Sequence, residues 1–313
     1  MKILITGGMG FIGHHLVRFI LKKRPKDEVV VIDDLSKGRR DFLRDIHNKF
    51  SFYKINITDR KKLGRCFRKE MPDVVIHAAA IHFIPECNKH PLKTIGVNIA
   101  GTYNLVDLAS QCRVRQFIFA SSAAIYGPCL KKRTENMTPN PLDLYGYSKL
   151  SGERIVRSLR KTHWSILRFS NVIGTEETNA HLLPSVINQL ARSDIITLGD
   201  LNPRRDYLFV TDLVNGIEKA IGNKRAYSQS INLGSGRGVS VKGLILEIEK
   251  ILKRRIVVVQ SKKLKRRIDD PFLVVSINKA EKLLGWKPEY TLRKALQKII
   301  HAEQRILFRR AGQ

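Results

Sequence analysis

Short runs of β-branched and apolar residues alternate, along the first half of the chain, with segments whose apolar positions recur about every 3.6 residues. The runs are KILIT from Lys2, VVVID from Val29, SFYKI from Ser51, DVVIHAAA from Asp73 and QFIFASS from Gln116. Such short, continuous apolar stretches suit strands buried on both faces. The segment from Phe11 puts Ile12, Leu16, Phe19 and Ile20 on one stripe and leaves His15, Arg18, Lys22 and Lys23 off it, which predicts a helix with one buried side. Asn98 to Cys112 repeats the pattern and places Ile99, Tyr103, Val106 and Ala109 together. Strands alternating with helices predict βαβ units and a parallel sheet with helices on both faces. WSILRFSNVIG at 164–174 reads as one further buried strand leaving that sheet.

After Gly174 the rhythm becomes irregular. Helices are predicted around Leu183–Arg192 and Asp212–Ile221, a turn at Gly199–Pro203, a strand at YLFV, another at Ile256–Val259, and helices at Lys279–Leu284 and Thr291–Phe308. We therefore expect a first domain over 1–173 and a smaller α/β lobe over 174–313, with part of the second half returning to the first. At 313 residues and 43% hydrophobic, the chain can bury a large core as one globule with two lobes.

No apolar run reaches the roughly 18 to 20 residues of a membrane span, and no signal peptide follows Met1, so a cytoplasmic protein is expected. Cys66, Cys87, Cys112 and Cys129 fit no zinc spacing and read as reduced packing residues, so no metal is expected. The formal charge of +29 gives a field attractive to phosphates, nucleic acid or an anionic membrane. Its basic runs, KKRPK at 22–26, KGRR at 37–40, KK at 61–62, KKR at 131–133 and KKLKRR at 262–267, lack the interleaved aromatics of a base-stacking surface. They are read as solvated faces, and nucleic acid is not expected as a partner.

Gly7, Gly10 and Gly13 follow the first strand as GxxGxxG and open the first helix. That context makes the turn a dinucleotide cradle, because backbone N–H groups and the positive helix end can face a pyrophosphate unobstructed. Phe11 and Ile12 complete it. The fold is thereby expected to be a Rossmann-type doubly wound sheet. Asp33 and Asp34 end the second strand, about 20 residues on, where a carboxylate accepts hydrogen bonds from the adenosine ribose. This favours NAD, although Lys37, Arg39 and Arg40 nearby leave NADP open. Asn56 and Ile57 after the third strand are placed to hold the adenine edge. Ala78, Ala79 and Ala80 after the fourth either let backbone approach the cofactor or serve helix packing.

Oxidising a sugar hydroxyl needs a base ionised near neutrality, and a phenol's ordinary pKa near 10 must fall to about 7 for that role. A Lys ammonium one helical turn away, with the positive nicotinamide, can supply the shift. Tyr145 and Lys149 have this spacing, and so do Tyr290 and Lys294. The first pair follows a strand ending in Ser121-Ser122 within the dinucleotide domain; the second reads as a surface helix.

In order, TGGMGFIG, VIDDLS, VIHAAA, VNIAGTYNL, FASSAAIYG, YGYSK, LRFSNVIG, RRDYLFVTDL, INLGSG and GWKPEYTL make the chain resemble the extended short-chain dehydrogenase/reductase family, in its NAD-dependent epimerase/dehydratase group. The resemblance runs through nearly the whole chain. It implies Tyr145 as general base, Lys149 as its electrostatic partner and holder of the nicotinamide ribose, and Ser122 as hydrogen-bond partner of the reacting oxygen. It further implies Asn98 in support of the NAD pocket, Asn171 toward the substrate, Arg205 and Arg267 toward the diphosphate of a nucleotide-sugar, and a homodimer through a four-helix contact.

Dehydratases of this family carry an Asp-Glu pair where this chain has Ala123-Ala124, so elimination is not expected. In 3,5-epimerising reductases a Cys and a His act together; His181 falls near the His position, but Ala124 takes the Cys position. The reaction left without a second acid-base pair is 4-epimerisation through a transient 4-keto sugar, with a dehydratase or reductase as the alternatives. HFIPECNKHP at 82–91 departs from the family, and His82 and Glu86 there either contact substrate or cap a helix. A catalytically silent relative that binds nucleotide or RNA is the rival of another class. Damage to the Tyr, the Lys or the glycines would mark it, and all are intact.

Overall fold

The computed structural model describes residues 1–265 and 269–303. Strands β1 (Lys2–Thr6), β2 (Glu28–Asp33), β3 (Ser51–Lys54), β4 (Val74–His77), β5 (Gln116–Ser122) and β6 (His163–Phe169) lie in one parallel sheet. After β7 (Asn171–Ile173), β8 (Ile195–Leu198) and β9 (Arg204–Phe209), the strand β10 (Gln229–Leu233) returns to it beside β6. The resulting order, β10-β6-β5-β4-β1-β2-β3, reverses direction beside β1 and is the doubly wound Rossmann arrangement expected from the sequence.

Both faces of this sheet are covered, which explains why its strands carry apolar residues without alternation. Ile3, Ile5, Val29, Val31, Val74 and Ile76 enter one core, while Leu4, Val30, Ile32, Val75, Phe117 and Phe119 enter the other. The first core extends under α1 (Phe11–Lys23) and joins the second half of the chain. The other is covered by α2 (Arg60–Glu70), α5 (Thr102–Gln111) and α6 (Leu144–Arg157), α3 (Ile84–Lys89) and α4 (Pro91–Ile95) being short helices before α5. A second sheet is built on β9, flanked by β7, by β11 (Gly238–Ser240) and by β13 (Phe272–Leu273), while β8 pairs with β12 (Val257–Gln260). Helices α7 (Leu182–Leu190), α8 (Val210–Ala220), α9 (Val241–Leu252), α10 (Asn278–Leu284) and α11 (Leu292–Ala302) complete the described chain.

Three expectations are corrected. The segment 164–174 is two strands, because the chain bends at Ser170, whose N–H donates to Leu233 and whose hydroxyl donates to Asp206, so that β7 joins the second sheet. The helix expected to begin near Asn98 is already running at Pro91 and widens to a π-type turn over Gly96–Gly101. That turn changes the angular spacing, leaving Tyr103 57% exposed while Asn98, Thr102, Leu105 and Ala109 face inward. Strand β10 and helix α9 were not anticipated, and the far end of the last predicted helix lies outside the described residues.

One buried ion pair locks the two elements that later form the site. Arg168 on β6 donates from Nε and Nη2 to the two carboxylate oxygens of Glu153 on α6, at 2.9 and 2.8 Å, and Ser121 Oγ on β5 donates to the same carboxylate at 2.6 Å. Both side chains are almost wholly buried. Burial makes the partners interdependent, since removing one strands the other's charge. Glu153→Gln is therefore expected to cost about 3 kcal/mol or more, read as a lowered urea midpoint; an unchanged midpoint would show that the pair does not carry stability.

Candidate active site

The glycine turn is shaped by close backbone approach. Gly7 has φ +73°, and a Cβ there would stand 2.8 Å from the Cα and N of Ala79. A Cβ on Gly13 would come within 2.0 Å of the Gly7 carbonyl oxygen, so the first turn of α1 can pack on the loop only without side chains. Ala78 and Ala79 thus face the turn directly, and Gly7, Gly10, Phe11, Ile12, Gly13 and Ala78–Ala80 all line one cavity of about 1130 Å³ at the carboxyl ends of the strands. This is large beside ordinary small-molecule pockets and suits a dinucleotide together with a second ligand.

A hydrogen-bond relay ties the turn to the helices behind it. Ala79 N–H donates to Thr6 Oγ1 at 3.3 Å, which contacts His77 Nδ1 at 2.8 Å; His77 Nε2 contacts Thr102 Oγ1 at 2.9 Å, and that hydroxyl donates to the Asn98 carbonyl at 2.6 Å. Because Thr102 gives its proton to Asn98, it accepts from His77 Nε2–H, and His77 Nδ1 accepts from Thr6. Burial drives His77 down to about 3, so the imidazole is neutral, as this direction of donation requires. Asn98 does not line the cavity itself. Its side chain clamps Ile81 through both backbone groups at 2.8 Å and reaches Ser148 on α6 at 2.9 Å, holding the Ala78–Ile81 wall in place.

Asp33 accepts from Met9 N–H at 3.0 Å and Leu35 N–H at 2.8 Å, which ties the end of β2 to the glycine turn, and burial raises its carboxyl above the ordinary range. Asp34 accepts from the Asn56 amide at 2.8 Å, while the Asn56 oxygen accepts from Thr58. Both aspartates, Asn56 and Ile57 line the cavity. The cations near them are engaged elsewhere. Lys37 pairs with Glu86 at 3.0 Å, Arg39 with Asp41 at 2.9 Å, and Arg40 stacks over Phe52 at 4.7 Å.

Ser122 ends β5, and Tyr145 and Lys149 stand one turn apart on α6, with all three facing the cavity. Asp143 starts this helix by accepting from Gly146 N–H at 2.8 Å. Burial raises the Tyr145 phenol, and the Ser122 hydroxyl beside it acts the other way. Burial also lowers the Lys149 ammonium to about 8; Nζ donates to the Ala120 carbonyl at 2.7 Å and lies 5.9 Å from the Tyr145 ring centre. The protein's own groups therefore leave the phenol a weak acid, and the site calls for a further positive charge beside it. A cofactor carrying a cationic ring at the reacting end of a dinucleotide fits that requirement.

Across the cavity, Asn171 starts β7 and is exposed, whereas Arg205 on β9 is held by Asp269 Oδ1 and the Asp270 carbonyl, both at 2.6 Å. Arg267 lies outside the described residues. His82 lines the cavity, contacts Asn179 at 3.1 Å and stacks on His181 with ring centres 5.5 Å apart; burial lowers it to about 4. Glu86 sits in the first turn of α3 without capping it. Sequence reasoning missed Glu177, whose buried carboxyl lines the cavity, stands 3.8 Å from His181 Nε2 and is pushed up to about 8 by burial. No spacing signals it.

Comparison with known proteins follows the same geometry. The family model of the NAD dependent epimerase/dehydratase family matches residues 3–234. UDP-glucose 4-epimerase of Streptococcus mutans is 34% identical over 316 residues, spanning 93% of this chain and 92% of that protein. The structure of UDP-glucose 4-epimerase from Thermotoga maritima with UDP-glucose is similar at a TM-score of 0.88 and 28% identity, covering 98% of this chain and 100% of the other. UDP-glucuronic acid 4-epimerase from Bacillus cereus, in complex with UDP-glucuronic acid and NAD, is similar at 0.89 and 27% identity over 98% of this chain and 100% of that one. Sequence order, sheet topology and the Ser-Tyr-Lys constellation converge: the chain belongs to the NAD-dependent epimerase/dehydratase family.

Proposed function

We propose that this chain is an NAD-dependent 4-epimerase of a nucleotide-diphosphate sugar, working as a homodimer in the cytoplasm. The observation that carries the reading is the convergence of Ser122, Tyr145 and Lys149 on one cavity, beside Ala123 and Ala124, which offer no proton donor or acceptor. Tyr145 takes the proton of the sugar's C4 hydroxyl and returns it. Ser122 holds that oxygen, and Lys149 stabilises the phenolate through its charge. NAD, held by the Gly7–Gly13 turn with Asp33 and Lys149, would supply the acceptor and donor of the C4 hydride.

Gly7, Gly10 and Gly13 leave room for the pyrophosphate, Asp33 and Asp34 select the unphosphorylated ribose, and Asn98 keeps the Ala78–Ile81 wall in register. Asn171, Arg205 and His82 bind the substrate. Arg205 is the pyrophosphate partner, prepositioned by Asp269 and Asp270. The homodimer is supported by the exposed apolar side chains Leu92, Ile95, Tyr103 and Tyr147, carried by the neighbouring helices α4, α5 and α6.

Three outcomes test this. In calorimetry NAD should bind more tightly than NADP, since a 2′-phosphate would meet Asp33 and find Lys37, Arg39 and Arg40 engaged; tighter NADP would reverse the assignment. Tyr145→Phe should lower turnover at least about a hundredfold with NAD affinity nearly intact, and a fully active variant would move the base to another residue. In D2O, a screen of UDP-, GDP-, CDP- and dTDP-sugars should reveal one pair of C4 epimers interconverting with no deuterium on carbon. Label at C3, C5 or C6 would instead indicate proton exchange by His82, His181 and Glu177, and the reaction would be a different one.

A further inference from the structure

Among the described residues one group of side chains can converge on a metal ion, and it lies outside the cavity, behind the dinucleotide turn. His14 and His15 on α1 and Glu176 after β7 each bring one donor atom within 4.8 Å of the others. None of the three lines the cavity.

Hydrogen-bond polarity gives the first sign of a cation. His14 Nδ1 is 2.9 Å from the Gly10 carbonyl oxygen, which can only accept, so Nδ1 carries a proton. His14 Nε2 is 2.9 Å from Glu176 Oε2, a second acceptor. A neutral imidazole has one N–H, and here it is used on Gly10. Nε2 is therefore the ligating position of His14, aimed at the Glu176 carboxylate, with the ring fixed as a metal-bound imidazole usually is, by a backbone carbonyl on its other nitrogen. His14 is completely buried, and Arg18 lies close enough for its charge to act on it. His15, whose ring centre is 4.1 Å from that of His14, is anchored in the same way, its Nε2–H donating to the Thr175 carbonyl at 3.2 Å and leaving Nδ1 as the donor atom. Arg18 itself is paired with Asp45, which moderates its repulsion of a cation.

The backbone gives the second sign. Glu176 holds φ +61°, a left-handed conformation unfavourable for a residue with a side chain, and in it the carboxylate is turned onto His14. Glu303, at the end of α11, is close enough for the Glu176 charge to act on it, so further negative potential surrounds the site.

We propose that His14, His15 and Glu176 bind a zinc-type divalent cation, which fastens the helix of the dinucleotide turn to the segment leading into Glu177 and His181. Two imidazole nitrogens, one carboxylate oxygen and a water would make the four-coordinate set that Zn2+ favours, whereas Mg2+ and Ca2+ prefer oxygen ligands throughout. Nothing in this depends on the sugar-nucleotide reading.

The test uses the full-length chain after chelator treatment. Zn2+ titrated by calorimetry near neutral pH should bind at one equivalent and raise the melting temperature, Mg2+ should do neither, and Co2+ should develop the visible absorption of a tetrahedral N/O site. His15→Gln and Glu176→Gln should each weaken Zn2+ by at least about tenfold, with retained NAD binding as the check on folding. Nitrogen NMR of the unmodified chain provides a readout independent of variants: Zn2+ should shift the ring signals of His14 and His15. No stoichiometric binding, shifts confined to other histidines, or equal affinity in two folded variants would overturn the site.

Discussion

The catalytic geometry depends on the buried pair between Glu153 and Arg168. Tyr145, Lys149 and Glu153 recur every four residues on α6, so fixing Glu153 fixes the rotation of the helix about its axis. Arg168 grips Glu153 with both arms of its fork, and Ser121, the neighbour of Ser122, donates to the same carboxylate. The positions of Tyr145, Lys149 and the Ser122 hydroxyl are therefore set by one charge cluster that must stay intact, because neither charge can be left alone in the interior. The cluster continues through Tyr126, which receives from Arg168 at 2.8 Å and donates to Asn232 on β10 at 2.8 Å. The second half of the chain is thereby tied to the same point.

The cofactor side is built mainly from backbone contacts. Gly7 and Gly13 allow the turn, α1 and the Ala79 segment to approach at distances no Cβ would permit. What keeps that wall from shifting is polar: the Thr6–His77–Thr102–Asn98 relay and the Asn98 clamp on Ile81. A neutral His77 suits this work because it donates at one nitrogen and accepts at the other.

Burial strips charge from the reacting end. It raises Tyr145 and Glu177 and lowers His82, which leaves these three uncharged near neutrality, whereas Lys149, lowered only to about 8, keeps most of its charge. A phenol in that state becomes more acidic when positive charge is placed beside it. The overall charge of +29 is spread over basic runs along the chain, such as those at 22–26, 131–133 and 262–267.

Local pattern alone determined much of this protein. Apolar runs of strand length placed five strands of the main sheet; GxxGxxG after the first of them placed the dinucleotide turn; Tyr145 and Lys149, one turn apart, were recognisable once Ser121-Ser122 preceded them. These signals are legible because each depends on a few neighbouring residues and on the periods of helix and strand. Other features were decided by partners distant in the chain. The bend at Ser170 depends on Leu233 and Asp206. His15 was read only as a polar position on its helix and His14 was not singled out, since Glu176 lies 162 residues from His14 and meets it only in the folded chain. Periodicity reports which face of an element is buried, but not what it is buried against, and for a polar side chain the partner determines the chemistry.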